Sequence, residues 1–155
     1  MVKYSGILGN FEYDESLWEV KEISGREHLV WKDASDLCEL PEGVTDCSYM
    51  FSATEFSENF KFGNFNTDKV RDMSYMFAYC TFPNRFSLPD TFSTESLEIA
   101  DKMFFSSTFK GQFRFSPRFI VRPVVSKKLI FSQVKMPRNI NLSWEDNKPK
   151  FIAFL

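Results

Sequence analysis

Apolar residues in this chain recur in blocks rather than with one short period. Three lines superpose without gaps: Met50-Phe51-Ser52-Ala53-Thr54-Glu55-Phe56, Met76-Phe77-Ala78-Tyr79-Cys80-Thr81-Phe82 and Met103-Phe104-Phe105-Ser106-Ser107-Thr108-Phe109. Counted from the first Phe of each line, further apolar residues fall at +5, +9 and +11: Phe56, Phe60 and Phe62; Phe82, Phe86 and Leu88; Phe109, Phe113 and Phe115. Self-similarity at a fixed period marks a repeat architecture. The same template predicts a fourth unit at Val125, Ile130, Val134 and Met136 and a degenerate first unit at Leu29, Ala34, Cys38 and Leu40. Anchors at 29, 51, 77, 104 and 125 then stand 22, 26, 27 and 21 residues apart.

Each unit reads as a sequence of short elements. The +9 and +11 residues alternate with polar ones, as in Phe60-Lys61-Phe62 and Phe113-Arg114-Phe115, which predicts a short strand with one buried face. Pro41, Pro89, Pro137 and Gly63 follow such strands and end them. Asp46 and Asp72 precede the clusters Ser48-Tyr49-Met50-Phe51 and Ser74-Tyr75-Met76-Phe77, a pattern that suits an N-cap on one or two helical turns. Strand, turn and short helix about every 25 residues predict an α/β fold: a short leucine-rich-repeat solenoid of about five units with parallel strands.

The ends predict hairpin-like caps, needed because an open repeat end exposes core and strand edges. Residues 1–27 carry Phe11, Tyr13, Leu17, Trp18 and Val20 around a polar Asp14-Glu15-Ser16 turn. Residues 138–155 carry Ile140, Leu142 and Trp144, then Phe151, Ile152, Phe154 and Leu155. With the repeats at 28–137 and no linker between, the chain is expected to be a single domain.

The stretch Phe62-Gly63-Asn64-Phe65-Asn66-Thr67-Asp68-Lys69-Val70-Arg71-Asp72-Met73-Ser74-Tyr75-Met76-Phe77-Ala78-Tyr79-Cys80 resembles the BspA-type leucine-rich repeats of bacterial and mycoplasma surface proteins, which read approximately L-S-N-F-D-T-S-N-V-T-D-M-S-x-M-F-x-x-C. The likeness spans residues 44–116 and extends more loosely over 28–43 and 117–137. The resemblance implies a binding scaffold with no catalytic residues to carry over. This chain differs from most members in having few units and no recognisable secretion signal.

Composition narrows the classes. With 43% hydrophobic and 26% charged residues, the chain is neither disordered nor membrane-spanning. No apolar run approaches the roughly 18 residues of a membrane helix, and the N-terminus lacks a basic stretch followed by an apolar one. A cytoplasmic location is expected. Three cysteines without paired spacing argue against a disulfide framework. Eleven of the 19 phenylalanines occupy the repeat slots, so the repeat accounts for the composition. The net charge of −2 hides an uneven division: residues 1–100 hold 8 basic and 18 acidic side chains, residues 101–155 hold 11 and 3. Such asymmetry marks an interaction surface.

Catalytic chemistry is sparse. The only histidine, His28, occupies a slot next to an apolar anchor, and Cys38, Cys47 and Cys80 read as small buried side chains. A His28–Cys38 nucleophile pair lacks an orienting partner. No phosphate-binding, dinucleotide, zinc-protease or nucleophile-elbow motif occurs, and no ligand spacing suggests a metal. Glu55/Glu58 and Glu95/Glu98 read as solvated surface. No enzyme activity, cofactor, metal or small-molecule substrate is expected.

The surface remains. If +9 and +11 point inward, the columns Asn59, Arg85, Gln112, Gln133 and Lys61, Ser87, Arg114, Lys135 point outward. Half of these residues are basic and none is acidic. Stacked about 4.8 Å apart they would form a partner-binding stripe, or simply a soluble sheet face. Lys110, Arg118, Arg122, Lys127, Lys128 and Arg138 would add a secondary basic patch. The favoured function is a non-catalytic protein-binding module, a stoichiometric inhibitor or adaptor of a larger protein or nucleoprotein complex, such as a phage or mobile-element antagonist of host defence (an anti-CRISPR). One alternative is direct nucleic-acid binding through the basic C-terminal half; another is an adhesive or structural surface repeat protein.

Overall fold

The computed structural model describes residues 1–153; Phe154 and Leu155, assigned above to the C-terminal cap, lie outside the described residues. The α/β leucine-rich-repeat solenoid is overturned. Among the described residues there is no helix, and the strands form six separate two-stranded pairs instead of one continuous parallel sheet. The fold is β-rich. Two antiparallel hairpins open the chain: β1 (Val2–Gly6) with β2 (Gly9–Tyr13), then β3 (Trp18–Ile23) with β4 (Arg26–Trp31). The middle holds three parallel pairs: β5 (Leu37–Cys38) with β6 (Lys61–Phe62), β7 (Thr81–Phe82) with β9 (Thr108–Phe109), and β8 (Arg85–Ser87) with β10 (Gln112–Arg114). The hairpin β11 (Ile140–Glu145) with β12 (Lys148–Ala153) follows.

The segments expected to be helical explain the change of class. The N–H groups of Cys47, Tyr49, Phe51 and Ala53 donate to the carbonyls of Asp72, Ser74, Met76 and Ala78 at 2.9–3.0 Å, one unit further along the chain. The intervening N–H groups of Met50, Ser52 and Thr54 close tight turns on the carbonyls three residues earlier. A helix would send every N–H to the carbonyl four residues back; here alternate amides leave the unit altogether. The pattern repeats from Met73, Tyr75, Phe77 and Tyr79 to Ile99, Asp101, Met103 and Phe105. It repeats again from Ala100, Lys102, Phe104 and Ser106 to Ser126, Lys128, Ile130 and Ser132. Such a run of turns places every fourth residue in the left-handed region. Tyr49 and Ala53, Tyr75 and Tyr79, Lys102 and Ser106, and Leu129 and Gln133 all have φ between 55° and 62°. None of them is glycine, and each costs about 1–2 kcal/mol in backbone strain. Asp46 and Asp72 do cap, but they cap a turn: Oδ1 of each accepts the N–H and hydroxyl of Ser48 or Ser74 at 2.6–2.9 Å.

Side chains on the inner face offset that strain. Phenylalanines from successive units stack in four files, of which the longest is Phe51–Phe77–Phe104–Phe131, with centroids 5.1–5.3 Å apart and planes within 13° of parallel. The others are Phe56–Phe82–Phe109, Phe60–Phe86–Phe113 and Phe65–Phe92–Phe119. Each such contact is worth about 0.5–1.5 kcal/mol beyond the area it buries. The last file member corrects the register of the fourth unit: Phe131, not Val125, continues the anchor series. At the other end Leu29 belongs to hairpin strand β4, Ala34 is exposed, and Cys38 pairs with Phe62 rather than aligning with Phe60.

The hairpins cover the two ends of the stack unequally. Trp31 donates its backbone N–H to Met50 O, and Trp18 lies 6.5 Å from Phe51. Gly9 and Gly43 make the closest approach, since a Cβ on either would lie 2.0–2.1 Å from a facing carbonyl oxygen. Phe151 packs edge-on against Phe109 at 4.7 Å, and Trp144 meets Phe131 at 5.7 Å.

Two substitutions test this arrangement. Phe77→Ala, at the centre of the longest file, should destabilise the protein by about 3–5 kcal/mol in denaturant titration. Ala53→Gly, at an exposed position with φ of 62°, should stabilise it by about 0.5–1 kcal/mol. In an exposed helix the same change would destabilise by a similar amount.

Candidate binding surface

The strand pair β8–β10 carries the centre of the expected stripe. Arg85 stands opposite Gln112 and Ser87 opposite Arg114, and all four are exposed. Lys61 is exposed on β6, paired with Leu37 of β5, and Asn59 is exposed just before it with its N–H on Ser57 Oγ. The remaining two residues fall elsewhere. Gln133 lies in the last turn run with φ of 59°, in the slot of Ala53, Tyr79 and Ser106. Lys135 bridges to Thr108 and extends the column Glu55–Thr81–Thr108. Both displacements follow from the anchor Phe131 replacing Val125.

The secondary basic residues differ in what they touch. Arg118 reaches Asp68 Oδ1 at 2.6 Å and Glu95 at 3.7 Å, and Arg122 donates to Glu95 O at 2.8 Å. These two stitch successive units together on another side of the stack. Lys110 is exposed between β9 and β10, and Arg138 is exposed before β11. Lys127 and Lys128 are exposed at the start of the last turn run.

What the stripe does have is a neighbour. The β11–β12 hairpin stands beside β8–β10 and leaves an open groove of about 710 Å³ between them. Its apolar lining includes Phe86, Phe113, Phe115 and Phe151. Arg85, Arg114, Lys148 and Lys150 supply four cations against the carboxylates of Glu145 and Asp146. Arg114 also lies 3.4 Å from Asp90, with both side chains more than half exposed, a contact too solvated to neutralise it. The hairpin half of this groove was missed from sequence. Its signal is the Lys148-Pro149-Lys150 alternation, which puts both cations on one face of a strand whose neighbours turn inward.

A second feature sits on the turn face at the N-terminal end. Tyr49 and Tyr75 stack at 4.6 Å and 8°, with His28 at 4.7 Å from Tyr49 and Lys102 Nζ 5.4 Å from the Tyr75 centroid. Beneath them, Asp46, Ser48 and His28 meet in a buried cluster. Arg26 pairs with Asp46 and lies 3.8 Å from Asp72. The residue types are those of a hydrolase triad, but the order is wrong. Ser48 Oγ donates to Asp46 Oδ1 at 2.6 Å and so accepts from His28 Nδ1 at 2.8 Å. With its hydroxyl proton directed at the carboxylate, Ser48 is not set against the imidazole in the manner of a triad nucleophile. The cysteines are equally unsuited to nucleophilic work. Burial pushes the thiols of Cys38 and Cys47 far up, and that of Cys80 up to about 12. Among the described residues no group of three or more His, Cys, Asp or Glu could hold a metal ion.

The fold defines a β-rich tandem-repeat protein. The chain belongs to the family described as Mycoplasma protein of unknown function, DUF285, whose profile matches residues 41–144. That span takes in the turn runs, the phenylalanine files and β11 up to Trp144, and leaves out the two N-terminal hairpins, β5 and β12. No curated protein and no solved structure gives a significant match.

Burial, and secondarily the charge of Arg26, hold the His28 imidazole below its ordinary pKa, so the folded chain takes up this proton at a lower pH than the unfolded one. The unfolded chain takes up the proton near pH 6.5. The resulting stability is complete above that pH and declines as pH falls through it. Replacing the imidazole by an amide, His28→Asn, should reduce the loss of unfolding free energy between pH 7 and pH 5. An unchanged difference between the two pH values would show that His28 takes up no extra proton on unfolding.

Proposed function

We propose that the protein is a non-catalytic protein-binding module that grips an extended segment of its partner in the groove between β8–β10 and the β11–β12 hairpin. The groove itself carries the reading: an apolar phenylalanine floor gives affinity, while Arg85, Arg114, Lys148 and Lys150 select a segment with acidic side chains. A stack whose units lock one another leaves such a surface rigid, so little ordering cost falls on the protein when it binds. The likeness of residues 62–80 to BspA-type repeats, which serve as binding scaffolds, supports the same conclusion. The reading as an inhibitor or adaptor rests on the same groove, whereas a specific antagonism of host defence draws on no residue of the structure.

Direct nucleic-acid binding is less well supported. It needs exposed aromatic faces for stacking, and the phenylalanines here are largely spent on one another. Arg118 is already shared between Asp68 and Glu95.

Affinity capture with the wild-type chain and with Arg85→Glu/Arg114→Glu, each with and without nuclease, tests the proposal. A protein retained by the wild type in both arms and lost with the double variant is the expected result. Retention that vanishes with nuclease, or that survives the double charge reversal, would overturn it. Both arginines are exposed, so the variant should fold normally, and its unfolding midpoint confirms this independently.

A further inference from the structure

The three interfaces between successive turn runs share one hydrogen-bonding code. Donors at alternate residues of one run meet carbonyls of the next: 47, 49, 51 and 53; then 73, 75, 77 and 79; then 100, 102, 104 and 106. The corresponding donors of the last run are Lys127, Leu129, Phe131 and Gln133. Among the described residues their N–H groups have no backbone acceptor. By register they point in the direction their counterparts do, which here is past the last run of the stack. Leu129 is 54% and Val124 82% exposed, and Lys127, Lys128, Lys135 and Arg122 are all exposed around them. The C-terminal hairpin touches this run through Trp144 on Phe131 and leaves Leu129 uncovered.

We infer that this open edge of the last turn run docks an acidic segment of a partner protein, which adds itself to the stack as one further run. Unpaired main-chain donors in a regular row are a template for another chain, whose carbonyls provide the affinity while side chains provide the selectivity. The surrounding lysines and Arg122 fix the sign of the partner's charge. A second copy of this chain does not fit. Two such edges meeting face to face would oppose donor to donor and cation to cation. The acceptor end of the first run is covered, with Asp46, Ser48 and Met50 buried and Met50 O taken by Trp31 N–H. This edge is separate from the groove, so either interface can fail without the other.

The protein supplies a probe for its own edge. A labelled peptide with the sequence of residues 44–62, carrying Cys47→Ser, offers the carbonyls of Asp46, Ser48, Met50 and Ser52. Its acids Asp46, Glu55 and Glu58 outnumber the single Lys61. Titrated against the full chain, it should bind saturably, and hydrogen exchange at Lys127, Leu129, Phe131 and Gln133 should change from fast to protected. Leu129→Gly should weaken binding about tenfold, the order expected for one lost leucine side chain. Glycine accepts a φ of 55° readily, so this variant should fold at least as well as the wild type. Lys127→Glu/Lys128→Glu should weaken binding by a similar factor, and Arg85→Glu/Arg114→Glu should leave it unchanged. Four amides as protected in the free chain as those of Phe77 and Phe104 would overturn the inference. So would no binding at millimolar peptide, binding that leaves the four amides unprotected, or binding that survives Leu129→Gly or is lost on groove reversal.

Discussion

Everything in this molecule depends on holding one turn run about 5 Å from the next. That distance is set twice over. Backbone amides of alternate residues reach the following unit at hydrogen-bond length, and the rings inside stack at centroid separations that match the same spacing. Neither term would be sufficient alone. The turn run carries two left-handed, non-glycine residues per unit, so it would not persist without neighbours. The rings gain their contacts only when the backbones are in register. A single unit is therefore unstable by construction, and stability belongs to interfaces between units.

This interdependence explains which sequence signals were readable. The phenylalanine slots at +5 and +9 were visible because ring stacking needs the same residue at the same place in each unit, and that leaves a gapless pattern. The backbone conformation left almost none. Asp before Ser, followed by an apolar pair, serves equally as a helix cap and as the start of a turn run, since the same carboxylate accepts the same two donors in both. The usual flag for a left-handed residue is glycine or asparagine, and here tyrosine, alanine, lysine, serine, leucine and glutamine stand in those places. Tertiary bonds to the next unit hold them there, and local propensity carries no trace of that.

The candidate site was half legible for a related reason. Arg85, Ser87, Gln112 and Arg114 lie where the repeat arithmetic put them because β8 and β10 are true equivalents. Gln133 and Lys135 do not, because the anchor of their unit is Phe131, and a shift of six residues moves Gln133 into the turn run and Lys135 onto the neighbouring column that runs through Thr81 and Thr108. Lys148 and Lys150 have no repeat equivalents. Their place beside the stripe depends on where a hairpin folds back, which is decided by the edge-on packing of Phe151 against Phe109 and Phe115. Non-local packing of that kind is written in no local pattern.

The shared direction of the alternate bonds within the turn runs has an electrical consequence. The alternate N–H groups within the turn runs donate toward the C-terminal end, and the carbonyls that accept them face the N-terminal end, so these peptide dipoles add along the stack; only at the ends of the runs do carbonyls such as those of Thr54, Cys80 and Ser107 face the other way, accepting from Thr81, Thr108 and Lys135. Their positive pole coincides with the basic residues 101–155 and their negative pole with the acidic residues 1–100. Backbone and side chains thus polarise the molecule in the same sense despite a net charge of only −2. An approaching charged partner would be turned by that field before any contact forms, and would arrive already facing the end it fits.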